Sequence, residues 1–244
     1  MTSTVLNSLQ NDKVAANTAV DPAWSALYKL GSASALASVM LIPITIAVYF
    51  IWPPPATVVE HFRQIQESLF VGLLGMDLLY LFGNLLLIPT WLALYVALRR
   101  DNESWTAVAI TLGLISFAAL IAGRPILEMV SLSGQYAAAA TELEQFTYLA
   151  AGEALMAIYH GMAFSAHYLL GTIGLLIFSF VMLQSDAFSR RTAYVGIGAN
   201  VITLGYYVPV IGVAISIFSV FFYFAWYLLI ARRLWWLSGD QGVR

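Results

Sequence analysis

Six apolar runs, each long enough or nearly long enough to cross a bilayer, constrain this chain more than any single motif. Ala26 to Trp52 carries one charge, Lys29, and Ile211 to Ala231 carries none. A helix spans the hydrocarbon core with about 20 apolar residues, and inside it every backbone N–H and C=O must be bonded internally. The expected fold is therefore all-α, a polytopic membrane helical bundle of six transmembrane helices. The spans fall at about 26–52, 69–98, 105–124, 163–183, 193–208 and 211–231, with a short helical cap at about 126–160 on the outer side. Composition agrees, since 61% of the residues are hydrophobic and 10% charged, where a soluble domain carries about 25% charged residues.

Residues 1–24 are expected to form a polar cytoplasmic tail, 25–235 the membrane domain and 236–244 a second cytoplasmic tail. The first 23 residues lack the apolar stretch of a signal peptide, so the first span serves as its own insertion signal. Pro43 predicts a kink in that span and Pro53-Pro54-Pro55 a stop behind it. The second run exceeds what a bilayer needs, so its first turns project outside. Of the 11 Lys and Arg residues, only Arg63 and Arg124 fall on the outer side, and the positive-inside rule places both termini in the cytoplasm. Trp24, Trp52, Trp105, Trp235 and Trp236 lie at predicted boundaries, where an aromatic belt belongs.

The scarce ionisable residues carry the functional question. Tyr148 to Gln184 is one apolar run interrupted every seven residues by Glu153, His160 and His167. Seven residues is nearly two helical turns, with a drift of only ~20°, so the three share a face. Asp77 and Asn84 are also seven apart. Counted by depth, Asp77, Asn84, Arg124, Glu128, Glu153, His160 and His167 all fall in the outer half of the bundle. An intramembrane charge costs ~2.5–3.5 kcal/mol on insertion scales and faces the bundle or a water-filled cavity. The inference is one outward-opening polar pocket between spans two, three and four, for a small polar or amphiphilic ligand or ion. The structural alternative is neutralising pairs: Arg124 with Glu128, and Asp77 with Arg124 or His167.

Several chemistries are set aside. The chain has no cysteine, which removes disulfides, zinc–thiolate sites and iron–sulfur clusters. A net charge of -2 without a basic patch gives no nucleic-acid partner. No Lys lies in a span for a retinal Schiff base, and there is no Walker loop or GxSxG. No cofactor is expected. Histidines seven apart are ~10.5 Å apart along a helix, too far for a compact metal site. A zinc centre assembled from His61, Asp77, His160 or His167 across segments, with Glu153 as base, defines the alternative: a metal-dependent hydrolase acting on lipid at the outer leaflet. A purely structural membrane subunit is the third class.

The segments Gly83-Asn84-Leu85-Leu86-Leu87-Ile88-Pro89, Leu94-Tyr95-Val96-Ala97-Leu98-Arg99-Arg100 and Leu127-Glu128-Met129-Val130-Ser131-Leu132-Ser133 resemble a group of six-helix bacterial integral membrane proteins that share a domain of unknown function. The resemblance covers about residues 25–235 and implies six spans in a bacterial plasma (inner) membrane, with no catalytic residue to carry over. The chain also bears comparison with the seven-helix zinc hydrolases related to ceramidases and adiponectin receptors, but departs from them in helix count and in lacking a close histidine pair. The expected partners are the lipid bilayer and a small polar or amphiphilic ligand; oligomers and partner proteins stay open.

Overall fold

The computed structural model describes residues 22–239, so the tails expected over 1–21 and 240–244 lie outside the described residues. Among the described residues the chain is helical and has no strand. A 3-10 turn at Pro22–Trp24 leads into α1 (Ser25–Ile51), and the triple proline separates it from α2 (Val58–Glu67). Then follow α3 (Leu69–Gly75), α4 (Leu78–Leu85), α5 (Ile88–Leu98), α6 (Glu103–Ala122), α7 (Ile126–Ala138), α8 (Glu142–Tyr159), α9 (Met162–Met182), α10 (Arg190–Leu204), a 3-10 turn (Gly205–Tyr207) and α11 (Gly212–Leu237). Five stretches are long and apolar enough to cross a membrane: Ser25–Ile51, Leu78–Leu98, Glu103–Ala138, Glu142–Met182 and Ala214–Leu237. At 15 residues, α10 is shorter than these.

Helix starts are written locally. Asn102 caps α6 by accepting from the Trp105 N–H, and Ser189 caps α10 by accepting from the Thr192 N–H. Thr57 with Glu60, and Thr141 with Glu144, form capping boxes at the starts of α2 and α8. Pro43 sits inside α1, which continues past it to Ile51.

Six helical columns close into a ring: α1 packs on α11, α11 on α10, α10 on α9, α9 on α6, α6 on α5, and α5 back on α1. Small residues permit the close approaches. Trp91 of α5 is wedged between Gly113 of α6 and Gly174 of α9; a Cβ on Gly113 would lie 2.2 Å from the indole. Hydroxyls tie the columns through backbone carbonyls: Ser32 Oγ donates to Ala231 O at 2.7 Å, and Thr90 Oγ1 to Gly31 O at 2.8 Å. Such bonds satisfy side-chain polarity where water is absent. Beside the ring, α2, α3, α7 and α8 gather around a second apolar cluster of Val58, Phe62, Ile65, Met76, Ile126 and Met129. The layer expected at 126–160 thus also recruits 58–76.

Two expected continuous helices are broken. The stretch 69–98 is three helices, because Asp77 adopts a left-handed conformation (φ 61°, ψ 27°) between α3 and α4. Pro89 interrupts the second junction: it has no N–H to give the Leu85 carbonyl, and Leu86 and Leu87 form a turn before α5. The run from Tyr148 to Gln184 divides at His160 and Gly161, where Gly161 turns extended (φ -87°, ψ -152°) before α9 restarts. That break resets the helical phase, so His167 is separated from the face that Glu153 and His160 share.

Because Trp91 fills the space that a side chain at position 113 would need, Gly113→Ala should destabilise the bundle by about 1–3 kcal/mol through overpacking. Thermal unfolding in detergent measures it, and an unchanged midpoint would contradict the wedge.

Candidate functional site

Where the ring meets the second cluster, helix breaks place a small polar group of side chains together. Asp77 projects from the α3–α4 break, and Arg124 from the Gly123-Arg124-Pro125 link that ends α6. Arg124 Nη2 lies 3.3 Å from Asp77 Oδ2, with the arginine side chain only 2% exposed and the aspartate 19%. Arg124 Nη1 donates to the Tyr159 carbonyl at 3.3 Å, the C-terminal and electronegative end of α8. The guanidinium also lies over the Tyr159 ring at 4.3 Å and the Phe164 ring at 5.2 Å. Arg124 Nε is buried with no protein partner. Tyr49, near the end of α1, donates its hydroxyl to Asp77 Oδ1. A left-handed non-glycine residue is uncommon and is best tolerated by Asp or Asn, and here it aims the carboxylate at Arg124 and Tyr49.

His167 belongs to a separate, saturated network. Tyr80 Oη lies 3.2 Å from Nε2, and Nδ1 lies 3.1 Å from the Ser116 carbonyl. Ser116 Oγ donates to the His167 carbonyl at 2.9 Å. One neutral tautomer satisfies all three: Tyr80 donates to Nε2, and Nδ1–H donates to Ser116. Tyr80 joins the two groups, since its ring centroid is 5.6 Å from the Arg124 guanidinium. Thus Asp77, Arg124 and His167 converge, while no carboxylate bonds to His167 among the described residues.

Three expected members lie elsewhere. Glu128 is exposed on α7, because Arg124 sits ahead of that helix and turns to Asp77 instead. Glu153 is exposed on α8 and His160 is exposed at its C-terminal cap, and the break at Gly161 separates both from His167. Asn84 is partly buried and donates to the Tyr80 carbonyl one turn back, at 2.8 Å. His61, of the zinc alternative, is buried on α2 with Nδ1 unpartnered. Among the described residues no three His, Asp or Glu side chains come together as a metal-binding group. Sequence reasoning missed Tyr49, Tyr80, Tyr159 and Ser116. Tyr80 could have been found, as it lies one turn after Asp77 and one before Asn84; the others read as ordinary residues of apolar runs.

Next to this group the ring borders a half-open cavity of about 430 Å³. Its walls come from α1, α4, α5, α6, α9, α10 and α11, so it extends beyond the second, third and fourth spans to which the expected pocket was assigned. Leu41, Ile42, Leu87, Trp91, Phe117 and Leu175 supply apolar surface; Ser38, Asn84, His167 and Thr172 supply isolated polar groups. Tyr49 and Tyr80 border both the cavity and the Asp77–Arg124 pair. A concave, mostly apolar space with a few convergent polar groups is the form a small-molecule site takes.

Removing one partner of the buried pair strands the other, so Asp77→Asn and Arg124→Gln should each cost about 3 kcal/mol. The double variant should cost less than their sum, a coupling that thermal unfolding of the four proteins reads. His61 gives a pH signature. Burial holds its imidazole below the usual 6.5, so the folded chain resists a proton that the unfolded chain accepts. Stability is then insensitive to this group above pH ~6.5 and falls as pH drops below it. His61→Leu should flatten that fall in a pH series of unfolding midpoints. In the comparisons with known proteins, no family model, curated protein or solved structure matches the chain.

Proposed function

We propose that this chain is a six-span membrane protein that holds an amphiphilic ligand in the ring cavity. The ligand's apolar body lies between Leu87, Trp91 and Leu175, and its polar end meets the Tyr49–Asp77–Arg124 group. The observation that carries this reading is the cavity, about 430 Å³ of mainly apolar wall that Tyr49 and Tyr80 join to the Asp77–Arg124 pair. Interiors are otherwise close-packed and voids are destabilising, so a space of this size favours an occupant over a purely structural bundle.

The sixth span in this reading is α10 with its following 3-10 turn. Fifteen α-helical and three 3-10 residues reach about 28 Å, close to the hydrocarbon thickness. Arg99, Arg100, Arg190, Arg191, Arg232 and Arg233 gather at the opposite end of the ring from the second apolar cluster, which favours cytoplasmic termini and an outer cap made of α2, α3, α7 and α8. The three motif segments support a bacterial plasma membrane. Binding without chemistry leaves transport, sensing and an accessory role as the uses of the site.

The test is binding of dansyl-undecanoate to the protein held in amphipol. Gly83 faces the cavity with nothing closer than Leu41 Cδ1, 3.7 Å from an added Cβ, so Gly83→Phe fills the space without a backbone clash. Saturable one-to-one binding to the parent, lost in Gly83→Phe, is the expected result; binding that never saturates, or is unchanged in the variant, would refute the site.

A further inference from the structure

We propose that the occupant is one acyl chain of a bilayer phospholipid, which enters sideways between α1 and α11. This rests on the reading of the cavity as a ligand site and adds the ligand's source and route. The two helices are antiparallel and are hydrogen-bonded at one end, where Ser25 Oγ donates to Ser238 O and Ser32 Oγ donates to Ala231 O. Continued residue by residue, that register sets Ile46 opposite Ile217. Both residues line the cavity, and both are exposed, at 46% and 57%. A residue that is at once cavity wall and outer surface marks a mouth, and this one opens between two helices that are each long and apolar enough to cross a membrane.

The rim chemistry suits hydrocarbon. Leu41, Ile42, Ile46, Ile217 and Val220 line this side together with the small hydroxyls of Thr45, Ser216 and Ser219, and among the described residues no Asp, Glu, Lys or Arg lines the cavity. Depth fits as well. From Ser38 at the bottom to Tyr49 at the top the α1 wall rises about 16 Å, which is about half the hydrocarbon thickness and so the reach of one leaflet. The chain's head end then lies beside Tyr49, whose hydroxyl is bonded to an aspartate already neutralised by Arg124. A locally neutral group gives no preference for an anionic headgroup, so the commonest zwitterionic lipids suffice.

The protein is reconstituted in phosphatidylcholine vesicles doped with phosphatidylcholine carrying a diazirine on one acyl chain, irradiated, digested and mapped by mass spectrometry. Label is expected on Leu87, Trp91 or Leu175 inside and on the lipid-facing Phe218 and Phe221 outside. Gly83→Phe should remove the inner label and keep the outer one, which also shows that the variant is folded. The double variant Ile46→Trp with Ile217→Trp should reduce inner labelling at short times several-fold. Inner label unaffected by the two tryptophans would overturn the sideways route. Inner label only from a free diazirine fatty acid would overturn the phospholipid. Dansyl-undecanoate binding in amphipol without any inner label in vesicles would overturn this proposal while leaving the cavity reading intact.

Discussion

The Asp77–Arg124 ion pair is the interaction on which the arrangement of one whole end of the molecule depends. A charge in an apolar interior is tolerated when it is paired and hydrogen-bonded. Meeting that requirement draws five chain segments to one point: the end of α1 through Tyr49, the α3–α4 break, the end of α6, the last carbonyl of α8 and, through Phe164, the start of α9. Each is a terminus or an interruption. The pair therefore holds the connections together, and the columns below are held by small residues and hydroxyls. The left-handed backbone at Asp77 follows from the same demand, since a continuous helix would carry the carboxylate away from Arg124.

The ring leaves space that its own side chains do not fill. Where α5, α6 and α9 meet, Trp91 reaches across and the glycines admit it, so packing is tight. Where α1 and α11 contribute wall, Ile46 and Ile217 line the cavity and stay exposed. Polar groups inside it are sparse and mostly engaged with backbone, so the interior favours hydrocarbon and discriminates weakly by hydrogen bonding.

The long apolar elements were legible because a bilayer-spanning helix declares itself through length alone, and α1, α6 and α9 begin and end within two residues of the expected bounds. What was not legible were the breaks. A left-handed Asp77 leaves no local signal, since its neighbours Leu74 and Leu78 suit an uninterrupted helix. Gly161 did carry one, yet a lone glycine in an apolar run reads equally as a close-packing position. One phase error followed, because the break at Gly161 separates His167 from Glu153 and His160. The convergence of Asp77 with Arg124 lay within the expected set because charge in an apolar chain has few places to go. Its tyrosine partners did not, because nothing distinguishes a tyrosine with a buried partner from one that packs or sits at an interface.

The unequal heights of the columns carry a mechanical consequence. α1, at 27 residues, is about 40 Å long, whereas α10 with its turn reaches about 28 Å. On the six-span reading proposed above, columns of such different length match no single slab thickness, so the longer ones would lean and the lipid beside α10 would thin. A lean of α1 against α11 would then change the proposed mouth at Ile46 and Ile217, and its width would follow the thickness of the bilayer.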